Sequence, residues 1–372
     1  MDAQPWPTPP EPYRVRISDP GEVAAGLPHL LGFRPEESVV LIGLSGPGEV
    51  RVGLCVRADI PPSWLAARVA SGLADAVATS APSAVLLAVV SEAPDAPLLD
   101  DPGMLAGLGL SDVVDLPHRD LVHELVLALD DLRIPVRDAL LVRGGRWWSY
   151  DCPHPCCAPR AGTPLPAGVT ALEAASVAAG QVLAQDRAEL RARIAAPEGP
   201  AASAMADTCL RVGQVWTRSP GAGPGGSAEE RWAAVLAGLA SARPGPSGRR
   251  LSDEEVARIA WALRDRAVRD RAIGLALGPD AEAVELLWTE CTRRSPPPLD
   301  AAPATLLAIS AWLRGDGAMA NVALARARDS DPDHGLAVLL DDALAACLPP
   351  ERLRAMLLES TLDGRGSAGE RS

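Results

Sequence analysis

Lysine does not occur in this chain, phenylalanine occurs once and tyrosine twice. Every fixed positive charge is therefore an arginine. With abundant Ala, Arg, Gly and Pro, that reads as the coding habit of a GC-rich genome rather than as chemistry. The net charge is −13 and the Arg residues are scattered among Asp and Glu. A basic surface that displaces counterions from phosphates is missing, so nucleic acid is not an expected partner. The longest apolar runs, such as Ala84 to Val90, fall far short of a bilayer's thickness, so a membrane is not expected either. Met1 to Pro12 lacks a basic segment followed by an apolar core. It is not expected to direct secretion, and the expected location is cytoplasmic. Seven cysteines in a chain without an export signal do not suggest a disulfide framework. Cys55, Cys209, Cys291 and Cys347 stand singly in apolar patterns, as small buried hydrophobes do.

What is present is enough apolar material, 48% of 372 residues, for two cores. The pattern predicts a disordered tail over 1–12 and an α/β domain over 13–166, a mixed sheet with hairpins and flanking helices. Connecting helices over 167–218 follow, then Gly/Pro-rich loops with a helix over 219–250, a helical domain over 251–363 and a tail over 364–372. In the α/β part, Ser18-Asp19-Pro20 starts a helix that carries Val23, Leu27, Leu30 and Leu31 inward to Gly32, with a break or kink expected at Pro28. Ser38 to Leu44 and Val50 to Ala58 form an antiparallel hairpin across Ser45-Gly46-Pro47-Gly48. A helix from Pro61 to Thr79 and a buried strand over Ala84 to Val90 complete a strand–helix–strand unit. Asp95 to Asp115 is an acidic loop in which Asp100-Asp101 reads as solvated rather than metal-binding. His118 and His123, five apart, do not share a face of the helix His118 to Leu132.

Beyond Pro166 the pattern is helical. Ala171 to Ile194 is expected as one long helix, and Gly221 to Gly226 as a linker without the flanking strand of a dinucleotide site. Ser252-Asp253-Glu254-Glu255 is a capping box. Ala301 to His334 resembles a tetratricopeptide repeat: Leu307, Ala308 and Ala311 in a first helix, Gly315-Asp316 at the turn, then Ala320, Ala327 and Asp331-Pro332. The helical hairpins would offer a concave face to a protein or peptide.

One stretch gathers the unusual residues. Gly144-Gly145 predicts a two-residue turn that sets Arg143 opposite Arg146, Val142 opposite Trp147 and Leu141 opposite Trp148. Arg143, Arg146, Trp148 and Tyr150 then share one face, a candidate site for a small anionic ligand. Two facing arginines otherwise call for an acidic neighbour or water. Cys152-Pro153-His154-Pro155-Cys156-Cys157 follows. Cys-x3-Cys fits zinc spacing and His154 offers a nitrogen, yet no second Cys/His pair supplies a fourth ligand. The open readings are zinc at Cys152, His154, Cys156 and Cys157, a disulfide, a nucleophilic cysteine, or a stiff corner of reduced thiols. The last is preferred, and no cofactor is expected.

The segment His29-Leu30-Leu31-Gly32-Phe33-Arg34-Pro35-Glu36-Glu37-Ser38-Val39-Val40, the strand into Gly145-Arg146-Trp147-Trp148-Ser149-Tyr150, and Cys152 with Cys156-Cys157 up to Gly162-Thr163-Pro164 resemble the DUF4192 family. The resemblance implies an actinobacterial, intracellular protein and brings no activity, catalytic residue or cofactor with it. With no complete catalytic motif, the leading expectation is a non-catalytic interaction or regulatory protein that acts through its helical hairpins. A ligand site at the arginine hairpin and a zinc-stabilised module are the alternatives.

Overall fold

The computed structural model describes residues 19–46, 51–97, 114–178, 183–218, 227–244 and 249–369. The expected tail at 1–12, the turn at Pro47-Gly48, Asp100-Asp101 and the linker 221–226 lie outside them. The chain divides into two compact units, Glu11–Asp186 and Arg187–Ser372. Among the described residues no helix is long and apolar enough to cross a membrane.

The first unit is a mixed sheet between helices. Helix α1 (Pro20–Leu31) opens on Asp19, whose carboxylate accepts the Gly21 N–H at 2.8 Å, and closes on Gly32 at φ 78°. The helix runs through Pro28 unbroken, so of the break or kink expected there the break does not occur. The proline forfeits one hydrogen bond, one turn from the end, while Val23, Ala24 and Leu27 hold the helix on the sheet. Strands β1 (Ser38–Ser45) and β2 (Arg51–Asp59) form the expected antiparallel hairpin. Helix α2 (Ala66–Ala78) leads to β3 (Ala84–Val90), which pairs antiparallel with β1. The short strands β4 (Ala96–Pro97) and β5 (Val114–Asp115) pair with each other. Helix α3 (Arg119–Asp131) then crosses to β6 (Val136–Arg143), parallel to β3. With β7 (Arg146–Ser149) and β8 (Thr163–Pro164) the sheet order is β2-β1-β3-β6-β7-β8.

Alternation along the strands sorts the core. Val40, Ile42, Leu44, Leu86, Ala88 and Leu140 meet α1 on one face. On the other face α2 packs on β1, β2 and α3, and α3 packs on β6. Seven of the eight β1 residues are buried, as befits a strand covered on both faces.

The first unit continues past the expected boundary at 166. Helix α4 (Ala171–Ala178) packs on α1, with Leu172 so close to Gly26 that a Cβ there would lie 2.4 Å from its Cδ1. Ala184 then pairs with Phe33, its N–H donating to the Gly32 carbonyl at 3.0 Å. That extended pairing is incompatible with helix, so the long helix expected over Ala171 to Ile194 is instead α4 and a separate α5 (Arg187–Arg193).

The second unit, which begins at α5, is helical throughout its described elements: α6 (Pro200–Arg218), α7 (Ala228–Ala242), α8 (Asp253–Ala262), α9 (Arg266–Ile273), α10 (Ala281–Arg294), α11 (Ala301–Leu313), α12 (Gly317–Ser330), α13 (Gly335–Ala345) and α14 (Pro350–Gly369). The last runs beyond residue 363, where a tail was expected. Capping boxes at Ser227/Glu230 and Ser252/Glu255 start α7 and α8. The hairpin α11–α12 turns at Gly315, φ 88°, and Asp316 caps the second helix through the Met319 N–H. Helix α11 is buried along all thirteen residues. A helix packed on every side presents no groove-lining face of its own.

Candidate metal centre at the cysteine corner

The hairpin register is the one its glycines dictate. Gly144 and Gly145 take φ 53° and 72°, the pair of positive values a tight type I′ turn needs. Arg143 stands opposite Arg146, Val142 opposite Trp147, and Leu141 opposite Trp148. The arginines do not converge on a common anion site. Arg143 donates to Asp95 Oδ1 at 2.8 Å and the Ala93 carbonyl at 2.7 Å, with its guanidinium 4.9 Å from the Trp148 ring centroid. Arg146 donates to the carbonyls of Ala161 and Gly162. Trp148 and Tyr150 are buried, and Tyr150 Oη donates to the Pro117 carbonyl at 2.6 Å. Burial pushes the Tyr150 phenol well up, as expected for a neutral core group. The acidic neighbour that the paired arginines called for is Asp95, supplied by the loop after β3.

The three cysteines, by contrast, converge. After β7 the chain turns at Cys152, whose N–H donates to the Ser149 carbonyl. It passes Pro153-His154 and winds a short 3₁₀ turn over Pro155–Cys157. The turn brings the Sγ atoms of Cys152, Cys156 and Cys157 within 4.8 Å of one another. Cys156 and Cys157 Sγ are 3.9 Å apart. A zinc ion with Zn–S bonds of about 2.3 Å spaces its tetrahedral sulfurs by about 3.8 Å, so that edge of the polyhedron is already in place. The imidazole of His154 is not among the groups that meet the three sulfurs within 4.8 Å. The prolines on either side fix its chain direction, and its backbone N–H hydrogen-bonds Cys152 Sγ.

That hydrogen bond holds the Cys152 thiol below its ordinary range, with the neighbouring thiols adding to it against some desolvation and the charge of Asp138. Burial pushes Cys157 up to about 11, partly offset by the Ser149 N–H, which donates to its Sγ at 3.3 Å. Two backbone N–H groups already aimed at sulfur are what a thiolate ligand needs to hold its charge. Beside the sulfurs lies a cleft of about 410 Å3, lined among others by Cys152, Cys157, His154, Tyr150, Asp115 and Arg119. The far wall is braced: Arg119 pairs with Asp115 and donates to the Tyr150 carbonyl at 3.2 Å.

A second polar cluster escaped the sequence reading. Ser91, just past the apolar run of β3, is 1% exposed. Its Oγ donates to Glu37 Oε2 at 2.8 Å, faces His118 Nε2 at 2.9 Å and accepts the Ala93 N–H at 3.1 Å. Glu37 Oε1 also accepts the Glu92 N–H at 2.8 Å. Glu37 and His118 both sit at positive φ, 36° and 60°. Serine, histidine and carboxylate invite a nucleophile reading, but one hydroxyl has one proton and two lone pairs. The proton goes to Glu37, one lone pair takes Ala93 N–H, and the other takes Nε2–H of His118. The hydroxyl is saturated, and the cluster ties the starts of β1 and α3 to the end of β3. The only signal for it in the sequence is that Glu37 and Ser91 each flank an apolar run.

A mixed six-stranded sheet with a thiol-lined corner at its β7–β8 edge, followed by an all-helical unit, defines a two-part α/β-then-α protein. The chain belongs to the DUF4192 family, whose model, described as a domain of unknown function, matches residues 20–351. No curated protein and no solved structure matches it.

Proposed function

We propose that the first unit is a metal-binding module in which Cys152, Cys156 and Cys157 hold one zinc ion. The observation that carries this reading is the convergence of three sulfurs from a six-residue stretch to within 4.8 Å. Reduced thiols gain only weak S–H···S contacts by clustering, whereas thiolates that share a soft divalent ion gain three bonds. Soft sulfur donors in tetrahedral geometry select zinc over magnesium, calcium or manganese. Such an ion would cross-link the turn after β7 to the 3₁₀ turn. The arginine hairpin has no part in it, since Arg143, Arg146, Trp148 and Tyr150 are engaged within the protein. The protein- or peptide-binding role expected of the helical unit rests on its sequence pattern, and the burial of α11 lends it no support.

The test is metal analysis of the full chain purified under reducing conditions without chelator. One equivalent of zinc is expected, lost in both Cys152→Ser and Cys156→Ser, while Cys347→Ser retains it. A wild-type protein that is folded, reduced and unable to take up zinc would remove the proposal.

A further inference from the structure

We infer that the ion held by Cys152, Cys156 and Cys157 keeps its fourth position open toward the neighbouring cleft and takes a small thiol there. This rests on the metal-binding reading above and adds to it a ligand class. Among the described residues no histidine or carboxylate joins the three sulfurs within the distance that groups them. Zinc sites with four protein ligands are closed and structural, whereas three protein ligands leave a position for water or an added ligand. The cleft opens on Cys152 and Cys157, and its volume of about 410 Å3 falls in the range of small-molecule sites.

The charge of the centre decides what enters. Three thiolates and one divalent cation carry a net −1, which repels hard anions and weakens the ion's hold on hydroxide. A soft, polarizable donor suits a three-sulfur ion better, so a fourth sulfur is the preferred ligand. On binding, the incoming thiol releases its proton to solvent and its sulfur forms a bond to the ion. The water that occupied the position leaves, and no atom changes oxidation state. Polar walls from His154, Asp115 and Arg119 favour a thiol with a polar tail over an aliphatic one. The rival occupant is the imidazole of His154, which lines the same cleft and would close the site by rotating inward.

Cobalt(II) substitution of the full chain tests this, because sulfur-to-cobalt charge-transfer absorption counts thiolates. The probe is 2-mercaptoethanol, titrated into cobalt-loaded wild type and His154→Ala. Saturable growth of the charge-transfer band by about one third in both proteins, the ratio of four sulfurs to three, is the expected result. A three-sulfur band that does not respond in wild type but responds in His154→Ala shows that His154 closes the site, and overturns the inference. A band that ignores the thiol in both proteins, or that falls as thiol strips the ion, overturns it too. In each of those cases the metal-binding proposal still stands. Cobalt that binds without any charge-transfer band overturns both.

Discussion

Replacing Ser91 by alanine tests whether the Ser91–Glu37–His118 cluster is structural. The change deletes one hydroxyl that makes three hydrogen bonds, at 2.8 Å to Glu37, 2.9 Å to His118 and 3.1 Å from the Ala93 N–H. The partners differ in what they lose. Glu37 is exposed and keeps the Glu92 N–H, so water replaces the hydroxyl there at little cost. The Ala93 N–H and the His118 ring are half-buried, and each forfeits a bond worth about 1 kcal/mol net. The sum is about 2 kcal/mol. In a unit of this size that lowers the melting temperature by about 4–8 °C, at about 2–4 °C per kcal/mol. Urea unfolding followed by tryptophan fluorescence is the assay, and the midpoint should fall with the slope unchanged. A loss below about 0.5 kcal/mol would refute the argument from a saturated hydroxyl. So would labelling of wild-type Ser91 by a fluorophosphonate, since a hydroxyl with its proton on Glu37 and both lone pairs occupied has nothing to attack with.

Gly162 stands at φ 66°, and a Cβ there would come within 2.4 Å of Trp148 Cζ2. Gly162→Ala should therefore cost about 3 kcal/mol from left-handed strain and overpacking together, read as a lower urea midpoint; a neutral substitution would mean that the corner does not rest on Trp148. Hydrogen bonding to Arg249, with help from Ser252, lowers Glu255 to about 2. A carboxylate whose folded value is depressed stabilises above its unfolded value and loses that stabilisation as the pH falls toward the folded one. Stability should thus decline between about pH 4.5 and about pH 2, and Glu255→Gln should flatten this part of the profile; an unchanged profile would show that the Ser252 box acts without charge. Arg160 is exposed in the cysteine corner. With the ion removed, limited trypsin digestion should cut after Arg160 at least about tenfold faster than in the loaded protein, since local opening precedes cleavage. Equal rates would mean that the ion does not brace the corner.

The sheet was legible wherever local chemistry decided the structure. Two adjacent glycines force one turn type, and that turn fixes every pair from Arg143–Arg146 to Leu141–Trp148. The capping box at Ser252 and the alternation of β2 acted in the same way, through neighbours in the chain. What failed was whatever depends on distant partners. Pro28 keeps its helix because the sheet holds Leu27, and Ala184 leaves helical conformation because Phe33 offers it backbone hydrogen bonds. Asp95 lies 48 positions before Arg143, so the pair that satisfies the arginine was invisible in the hairpin itself. The thiol site was half legible. Its spacing named the cysteines, but that all three sulfurs meet follows from the 3₁₀ turn.

The cysteine corner also explains its own need for a cross-link. From Asp151 to Pro164 the chain contains no Val, Leu, Ile, Met or aromatic residue, and the one buried side chain in it is Cys157. Burial of apolar surface, which holds the sheet to its helices, is therefore limited in this segment to close packing of its backbone on the Trp148 ring. Polar contacts remain: the Trp148 Nε1–H to the Ala158 carbonyl, Arg146 to the carbonyls of Ala161 and Gly162, and the Ser149 N–H to Cys157 Sγ. Each is worth about 1 kcal/mol net, against about 1–2 kcal/mol of backbone entropy for every residue fixed. These four, with the turn bonds of the Cys152, Cys157, Ala158 and Ala161 N–H groups, do not order a segment of this length, and β8 adds only a two-residue strand. The same arithmetic that leaves the corner short of support falls where three sulfurs meet, and the ion proposed above would give the segment metal–thiolate bonds in place of a core.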